Sequence, residues 1–170
     1  MIMYNKGNLL ESDAEAVVNT VNTVGVMGKG IALQFKRAFP ENFRAYERAC
    51  KHGEVQLGRM FVYETNTLHG PRFIINFPTK RHWKESSRLA DIRAGLRGLI
   101  ESVQKLKIKS IAIPPLGCGL GGLDWNEVCP LIEKAFEPLQ EVEVILYAPA
   151  GVEGRITVCA AGMSKSIKRG

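Results

Sequence analysis

Residues 110–128 read SIAIPPLGCGLGGLDWNEV, and this stretch decides the fold of the chain. An apolar run is followed by GCGLGG at 117–122 and then by a segment that predicts the start of a helix. Four glycines within six positions disfavour regular structure but let the backbone approach a ligand closely. The free N–H groups of such a loop suit an anion such as phosphate. The stretch therefore predicts a strand, a phosphate-binding loop and a helix in succession.

A second glycine cluster, VGVMGKGIALQF at residues 24–35, runs directly into another predicted helix. Helix N-termini carry unpaired N–H groups and a partial positive charge, so this loop also suits a phosphate. Neither cluster matches the G-x-x-x-x-G-K-[ST] pattern of a P-loop. A Rossmann site is disfavoured, because the second cluster lacks the G-x-G-x-x-G spacing and residues 117–122 follow the fourth or fifth strand instead of the first. For each loop alone a plain tight turn is the alternative, but two together suggest a bound diphosphate.

The composition indicates one globular domain with basic character. The chain has 170 residues, 45% of them hydrophobic, and a formal net charge of +6, which favours polyanionic partners without identifying one. The four cysteines are scattered without C-x-x-C pairing, so neither a zinc site nor a disulfide framework is expected. Reduced thiols and the lack of a membrane-length apolar run favour a cytoplasmic protein with no membrane partner.

Short apolar runs alternate with longer helical patterns, which is typical of a layered α/β fold. Two of the strand-like runs flank the turn-rich sequence TNTLHGP, so a hairpin and a mixed sheet are predicted. Pro40 ends one helix near Phe39, and Asp124 is the expected N-cap of the last helix. The predicted strands cover residues 2–4, 16–19, 60–63, 73–77, 110–114 and 142–147. The predicted helices cover residues 31–39, 41–51 and 87–106 and a segment that follows Asp124.

The regular pattern ends within YAPAGVEG at residues 147–154. We therefore predict one domain over residues 1–154. The remaining residues 155–170 are interpreted as a tail, a linker or a remnant of expression, with no function assigned.

Five motifs follow one another along the chain: KGNLL at 6–10, AVVNTVN at 16–22, GVMGKGIALQFKRAFP at 25–40, FPTKRHW at 77–83 and IPPLGCGLGGLDW at 113–125. In this order they resemble a macrodomain, and more narrowly the macrodomains of DarG antitoxins, which remove ADP-ribose and oppose DNA-modifying toxins of the DarT type. The resemblance spans roughly residues 1–150 and implies a three-layer α/β/α fold, a mixed central sheet and an ADP-ribose cleft at the carboxyl ends of the strands.

The resemblance also implies which residues bind ADP-ribose. In chain order, the loop at residues 25–30 is called the first glycine loop and the loop at residues 117–122 the second. The first would face the distal ribose, and the second would wrap the diphosphate under apolar cover from Leu116 and Leu120. Macrodomains commonly have Asp at the position of Asn8, which is associated with adenine recognition, and a related human enzyme has an Asp at the position of Gly121. The implied set is Asn8, Leu9, Gly25, Gly28, Gly30, Leu116, Gly117, Cys118, Gly119, Leu120, Gly121 and Gly122.

Lys80 matches the essential lysine of the enzyme that clears glutamate-linked ADP-ribose, so the resemblance implies a catalytic role. A lysine can attack the anomeric carbon or donate a proton as the bond to the base breaks; the alternative is a solvated surface charge. Asn22 is the second catalytic candidate, where its amide would orient the distal ribose or the leaving base, unless it only forms an Asx turn. Cys118 lacks an apparent base and is a poor candidate for a nucleophile.

The segment TKRHWKESSR at residues 79–88 interleaves cations with His and Trp, a composition typical of single-stranded nucleic acid binding. The alternative is an exposed loop before a helix that Ser86 or Ser87 caps. With the resemblance, we expect the DNA contacts to come from Lys29, Arg81, His82, Trp83 and Lys84.

The sequence and the resemblance together predict a hydrolase that cleaves the N-glycosidic bond between ADP-ribose and thymidine in single-stranded DNA. The expected partners are ADP-ribosylated single-stranded DNA, free ADP-ribose as product, and a DarT-type toxin whose modification is reversed. No metal and no cofactor are expected. The alternatives are a hydrolase acting on glutamate-linked ADP-ribose in proteins, a reader that binds ADP-ribose without turnover, and an NAD-dependent oxidoreductase, which lacks its expected fingerprint.

Overall fold

The computed structural model describes residues 1–152, which contain six β-strands and four α-helices. Short 3-10 turns at Leu9–Glu11 and Gly119–Gly121 complete the regular structure of these residues. The strands are β1 (Ile2–Asn5), β2 (Ala16–Val21), β3 (Phe61–Glu64), β4 (Phe73–Pro78), β5 (Ser110–Ile113) and β6 (Glu143–Tyr147). The helices are α1 (Gly30–Ala38), α2 (Pro40–Lys51), α3 (Leu89–Lys105) and α4 (Trp125–Phe136).

The strands form one sheet in the order β1-β6-β5-β2-β4-β3. All neighbours are parallel except β3, which runs antiparallel to β4. The predicted hairpin and mixed sheet are therefore confirmed. Because β6, β5, β2 and β4 are parallel neighbours, their carboxyl ends lie along the same edge of the sheet.

Alternate residues of the central strands enter two different cores, because side chains along a strand point to opposite faces. Val18 packs with residues of α3 and α4, whereas Val17 packs on the opposite face with Phe35 of α1. Helix α2 contributes Tyr46 to a third buried cluster beneath the first glycine loop. This arrangement confirms the three-layer α/β/α fold.

Several predicted boundaries differ from the structure. Strand β2 continues to Val21, two residues beyond the prediction, because Thr20 and Val21 pair with the end of β4. Helix α3 has Arg88 as its N-cap residue, without a side-chain cap, so the alternative in which Ser86 or Ser87 caps it is wrong. The Ser87 side chain is buried under a neighbouring loop. Its position is decided by packing and not by the helix end.

The N-cap of the last helix is confirmed: Asp124 Oδ1 accepts a hydrogen bond from the Asn126 N–H at 2.9 Å. This contact satisfies one of the unpaired donors at the start of α4, which follows directly after the second glycine loop. No helix within residues 1–152 combines the length and the apolar character needed to cross a bilayer. The predicted tail at residues 155–170 lies outside the described part of the chain.

Candidate functional site

A cleft of about 800 Å³ opens at the edge of the sheet where four parallel strands end. Its floor comes from the ends of β2 and β4, with Val21 and Thr79, and from segments that follow β5 and β6, with Pro114 and Pro149. Parallel α/β sheets place ligands at this edge. The cleft is where the resemblance predicts ADP-ribose to bind.

The first glycine loop forms one wall. Gly28, Lys29 and Gly30 line the cleft together with Ile31 and Ala32 of the first turn of α1. Lys29 is the N-cap residue of α1, and its side chain makes no capping bond. The first N–H groups of a helix have no intrahelical acceptor, so this wall presents donors suited to an anion.

The second glycine loop forms the facing wall with residues 117–121. Within residues 1–152, the main-chain N–H groups of Gly117, Gly119 and Leu120 donate no hydrogen bond. Gly119 has φ +56°, a left-handed conformation that favours glycine. Leu120 is 67% exposed, and a Cβ atom added at Gly30 of the first loop would lie 3.5 Å from its Cδ1. The two loops therefore lie close together and line the same cleft.

Lys80 lines the cleft just beyond β4 and is half-buried. Main-chain hydrogen bonds hold the residues on both sides of Lys80. The Thr79 N–H donates to the Val21 carbonyl at 2.9 Å, and the Arg81 carbonyl accepts from the Thr23 N–H at 3.0 Å. Among the residues of the described chain, Lys80 forms no ion pair. The segment around Lys80 is thus fixed while its amine has no carboxylate partner there.

The charged side chains that line the cleft within residues 1–152 are all positive. Its lining includes three lysines, Lys29, Lys80 and Lys84, and no Asp or Glu within residues 1–152. Nearby charges of one sign attract a polyanion and strengthen its binding in a concave site. A carboxylate that could act as a general acid or base is therefore missing from the described walls, and lysine is the titratable side chain best placed for chemistry.

Asn22 lines the cleft, but most of its amide is used inside the first loop. Its Oδ1 accepts from the N–H groups of Val24 and Val26 and lies 2.9 Å from the Tyr46 hydroxyl. Its Nδ2 donates to the Val26 carbonyl at 2.8 Å. An amide oxygen has two lone pairs, so Oδ1 is fully used. The Asx-type turn is confirmed, and contact of the remaining N–H with ribose or the leaving base stays a prediction.

Cys118 lines the cleft but is only 8% exposed. Burial, with a smaller contribution from Asp124, raises the pKa of its thiol to about 11. The thiolate is the reactive form of cysteine, so a neutral thiol here is a poor nucleophile. The described residues contain no group of three or more His, Cys, Asp or Glu side chains placed to hold a metal ion.

The segment 79–88 passes along the mouth of the cleft. Trp83 is 46% exposed and lines the cleft, and the His82 ring stacks against it with a centroid distance of 5.1 Å. The Lys84 Nζ lies 5.0 Å from the Trp83 ring centroid. The Arg81 side chain is exposed and does not line the cleft. An aromatic ring with adjacent cations is the arrangement that single-stranded nucleic acids bind.

Some predicted ligand residues do not line the cleft. Leu9 and Leu116 are fully buried in the two cores, so the expected apolar cover from Leu116 is corrected to a supporting role beneath the loop. Asn8 is exposed, and its Oδ1 accepts from the Leu10 N–H in the 3-10 turn. Gly25 packs against α2. Gly122 and His82 are likewise outside the cleft lining.

Sequence reasoning missed several cleft residues, which share a position at or just beyond the carboxyl ends of strands. No chemical motif distinguishes these side chains, and only their place after a predicted parallel strand could have indicated them. They are Thr20, Val21, Thr79, Pro114, Pro115, Pro149 and Ala150.

Comparison with known proteins matches residues 18–132 to the Macro domain. The chain belongs to the macrodomain family. This macrodomain is 58% identical over 151 residues to a DNA ADP-ribosyl glycohydrolase of Mycobacterium tuberculosis, a match that covers 89% of this chain and 43% of that protein. The chain thus spans less than half the length of this curated relative.

Two solved structures share the fold and the family. The macrodomain of Mycobacterium tuberculosis DarG has a TM-score of 0.87 and 58% identity, covering 88% of this chain and 99% of that one. Thermosipho africanus DarTG in complex with ADP-ribose has a TM-score of 0.80 and 38% identity, covering 90% of this macrodomain and 42% of that chain. The resemblance to DarG macrodomains is therefore confirmed.

Proposed function

We propose that this macrodomain hydrolyses the bond between ADP-ribose and thymidine bases in single-stranded DNA. The observation that carries the proposal is the position of Lys80 in a cleft between two glycine loops, where the described walls bring three lysines and no carboxylate. The similar protein of Mycobacterium tuberculosis is a DNA ADP-ribosyl glycohydrolase, which supports the substrate class.

ADP-ribose is placed by its diphosphate. The second glycine loop offers the N–H groups of Gly117, Gly119 and Leu120, and the first turn of α1 offers further donors across the cleft. The distal ribose then lies beside the first loop, close to Lys80. Asn8, at the exposed 3-10 turn, is the proposed contact of the adenine amino group. The ADP-ribose complex of Thermosipho africanus DarTG supports this ligand.

Hydrolysis breaks the bond between the anomeric carbon and the base nitrogen; water supplies a hydroxyl to the sugar and a proton to the base. In one route the neutral Lys80 amine attacks the anomeric carbon, and the base leaves with the proton that the amine loses. The bond from this carbon to the ring oxygen then opens to give a Schiff base, which water hydrolyses to free ADP-ribose and the lysine amine. In the other, the Lys80 ammonium donates a proton to the base as the bond breaks, and water adds to the carbon. Both routes need a lysine and no carboxylate.

The DNA strand is proposed to lie over segment 79–88. Trp83 stacks on a base, while Lys29, Arg81 and Lys84 approach the phosphates, with His82 supporting the tryptophan ring. A base in a single strand needs no extraction from a duplex. The cellular role that follows is reversal of a DarT-type modification in the cytoplasm, as an antitoxin and DNA-repair activity.

The direct test is a denaturing-gel assay with a single-stranded oligonucleotide that carries one ADP-ribosylated thymidine. The wild type is expected to restore the faster strand and release free ADP-ribose. Lys80→Ala and Lys80→Arg are both expected to lose at least about 100-fold in rate, because arginine keeps the charge but neither attacks nor readily gives up a proton. Lys109→Ala, an exposed lysine at the opposite edge of the sheet, is the matched control.

Each alternative has a distinct result. Binding of ADP-ribose without turnover of any substrate would make the protein a reader. Turnover of a glutamate-linked ADP-ribosyl protein but not of the oligonucleotide would move the substrate to protein. Borohydride treatment during turnover separates the two lysine routes, because it traps a covalent adduct at Lys80 only if a Schiff base forms.

A further inference from the structure

Ser87 connects the DNA-facing segment to the second glycine loop. It lies just before α3 and is only 6% exposed, and it does not line the cleft. Its main-chain N–H donates to the Gly121 carbonyl at 2.9 Å. A residue outside the cleft is therefore bonded directly to the loop that forms one of its walls.

Two glycines of the loop lie against the Ser87 side chain. A Cβ atom at Gly121 would lie 2.5 Å from Ser87 Oγ and 3.0 Å from Ser87 Cβ. A Cβ atom at Gly117 would lie 3.1 Å from the same Ser87 Cβ. Ser87 therefore fills the space at Gly121, and it shares the space at Gly117 with Leu123 and Ile92, whose Cδ1 atoms would lie 2.7 Å and 3.1 Å from that Cβ atom.

The conformation of Gly121 does not itself demand glycine. Among the loop glycines, Gly117, Gly119 and Gly122 have positive φ, whereas Gly121 does not. A side chain at position 121 would therefore meet no backbone strain. The obstacle is Ser87, whose hydroxyl is buried and has no hydrogen-bond partner within residues 1–152. The Ser87 side chain acts here through its volume.

We propose that Ser87 is a positioning residue for the diphosphate of ADP-ribose. Its N–H and its side chain together hold residues 117–121 in the conformation that leaves the N–H groups of Gly119 and Leu120 free for the ligand. Ser87 also occupies the space that a Cβ atom at position 121 would need, so no acidic side chain is expected there and Lys80 works without one. This inference rests on the proposed diphosphate site.

The test is a set of paired variants, measured by calorimetric titration with free ADP-ribose and by thermal unfolding. Gly121→Ala is expected to weaken ADP-ribose binding by about tenfold or more, because the added Cβ pushes the loop away from Ser87. Ser87→Gly/Gly121→Ala is expected to recover most of that loss. The matched control is Ser86→Gly/Gly121→Ala, since Ser86 is the exposed neighbour, and it should recover nothing. Ser87→Ala keeps the Cβ and the N–H, so it should bind ADP-ribose like the wild type.

The outcomes are separable. The inference is overturned if Gly121→Ala binds ADP-ribose as tightly as the wild type. It is also overturned if the Ser86→Gly and Ser87→Gly changes restore binding to Gly121→Ala equally, with all variants folded at the titration temperature. If Gly121→Ala does not fold alone, recovery of both folding and binding in the Ser87→Gly background still supports the proposal, and recovery of folding without binding overturns it. Failure of the wild type to bind ADP-ribose instead contradicts the proposed function.

Discussion

The hydroxyl oxygen of Tyr46 lies 2.8 Å from the main-chain oxygen of Asn22 and 2.9 Å from its side-chain Oδ1. Burial, with a further contribution from Cys50, raises the pKa of Tyr46 far above its ordinary value, so the hydroxyl stays protonated and donates. Asn22 in turn holds the turn at Val24 and Val26. The first glycine loop is thus ordered from helix α2 below it.

Replacing Tyr46 by phenylalanine removes this donor and leaves the fold of α2 in place. The free energy of unfolding is expected to fall by about 1–2 kcal/mol, because buried oxygens of Asn22 lose a partner. Looser loop geometry should also weaken ADP-ribose binding. Urea denaturation and ADP-ribose titration measure the two effects, with Tyr63→Phe on the edge strand β3 as control. A variant as stable as the wild type would show that the contact contributes nothing.

Trp83 is expected to act on the DNA part of the substrate more than on ADP-ribose. Stacking of one base contributes roughly 1–3 kcal/mol, so Trp83→Ala should raise KM for the modified oligonucleotide by about tenfold or more. Trp83→Phe keeps a stacking face and should recover most of the loss. Steady-state kinetics on the oligonucleotide and titration with free ADP-ribose separate the contributions. An equal loss of affinity for both ligands would argue against a base-stacking role.

Cys118 should react slowly with iodoacetamide at neutral pH. Its pKa of about 11 keeps the thiol protonated, and the rate is expected to rise as the pH approaches that value. An unfolded thiol has a pKa near 8.5, so the stability contributed by the neutral form is complete below that pH and is lost as the pH rises towards 11. Mass spectrometry of each cysteine over pH 7–10 provides the measurement. Rapid modification at pH 7 would indicate an activated thiolate.

Replacing Gly95 by alanine is predicted to lower the free energy of unfolding, although the same replacement in a helix interior usually raises it. Alanine in a helix interior normally stabilises by roughly 0.5–1 kcal/mol relative to glycine. Here a Cβ atom would lie 2.2 Å from Phe77 Cζ, in the core between α3 and the sheet. Gly95→Ala should therefore destabilise by about 1–3 kcal/mol in urea denaturation. Phe77→Leu in the same chain should remove part of that additional cost, and a stabilised Gly95→Ala protein would contradict the packing argument.

The sequence determined the elements and much of the chemistry. Apolar periodicity, the turn-rich hairpin and Pro40 depend on near neighbours in the chain, so the strands, the helices and the mixed sheet were predictable. The glycine clusters at 24–35 and 117–122 and the lysine after β4 were visible for the same reason: backbone freedom and charge are properties of residue type. The ordered motifs then indicated the family.

Only the tertiary structure decided which groups face the cleft. Leu116 directly precedes the second glycine loop in the sequence, yet it is buried, whereas Leu120 four residues later is exposed at the cleft. The sequence suggests Ser87 as a helix cap, but packing places its side chain under Gly121. The carboxylate-free lining and the contact of Tyr46 with Asn22 join segments that are distant in the chain. Their orientation and burial follow from the packing of helices on the sheet, which local sequence patterns do not encode.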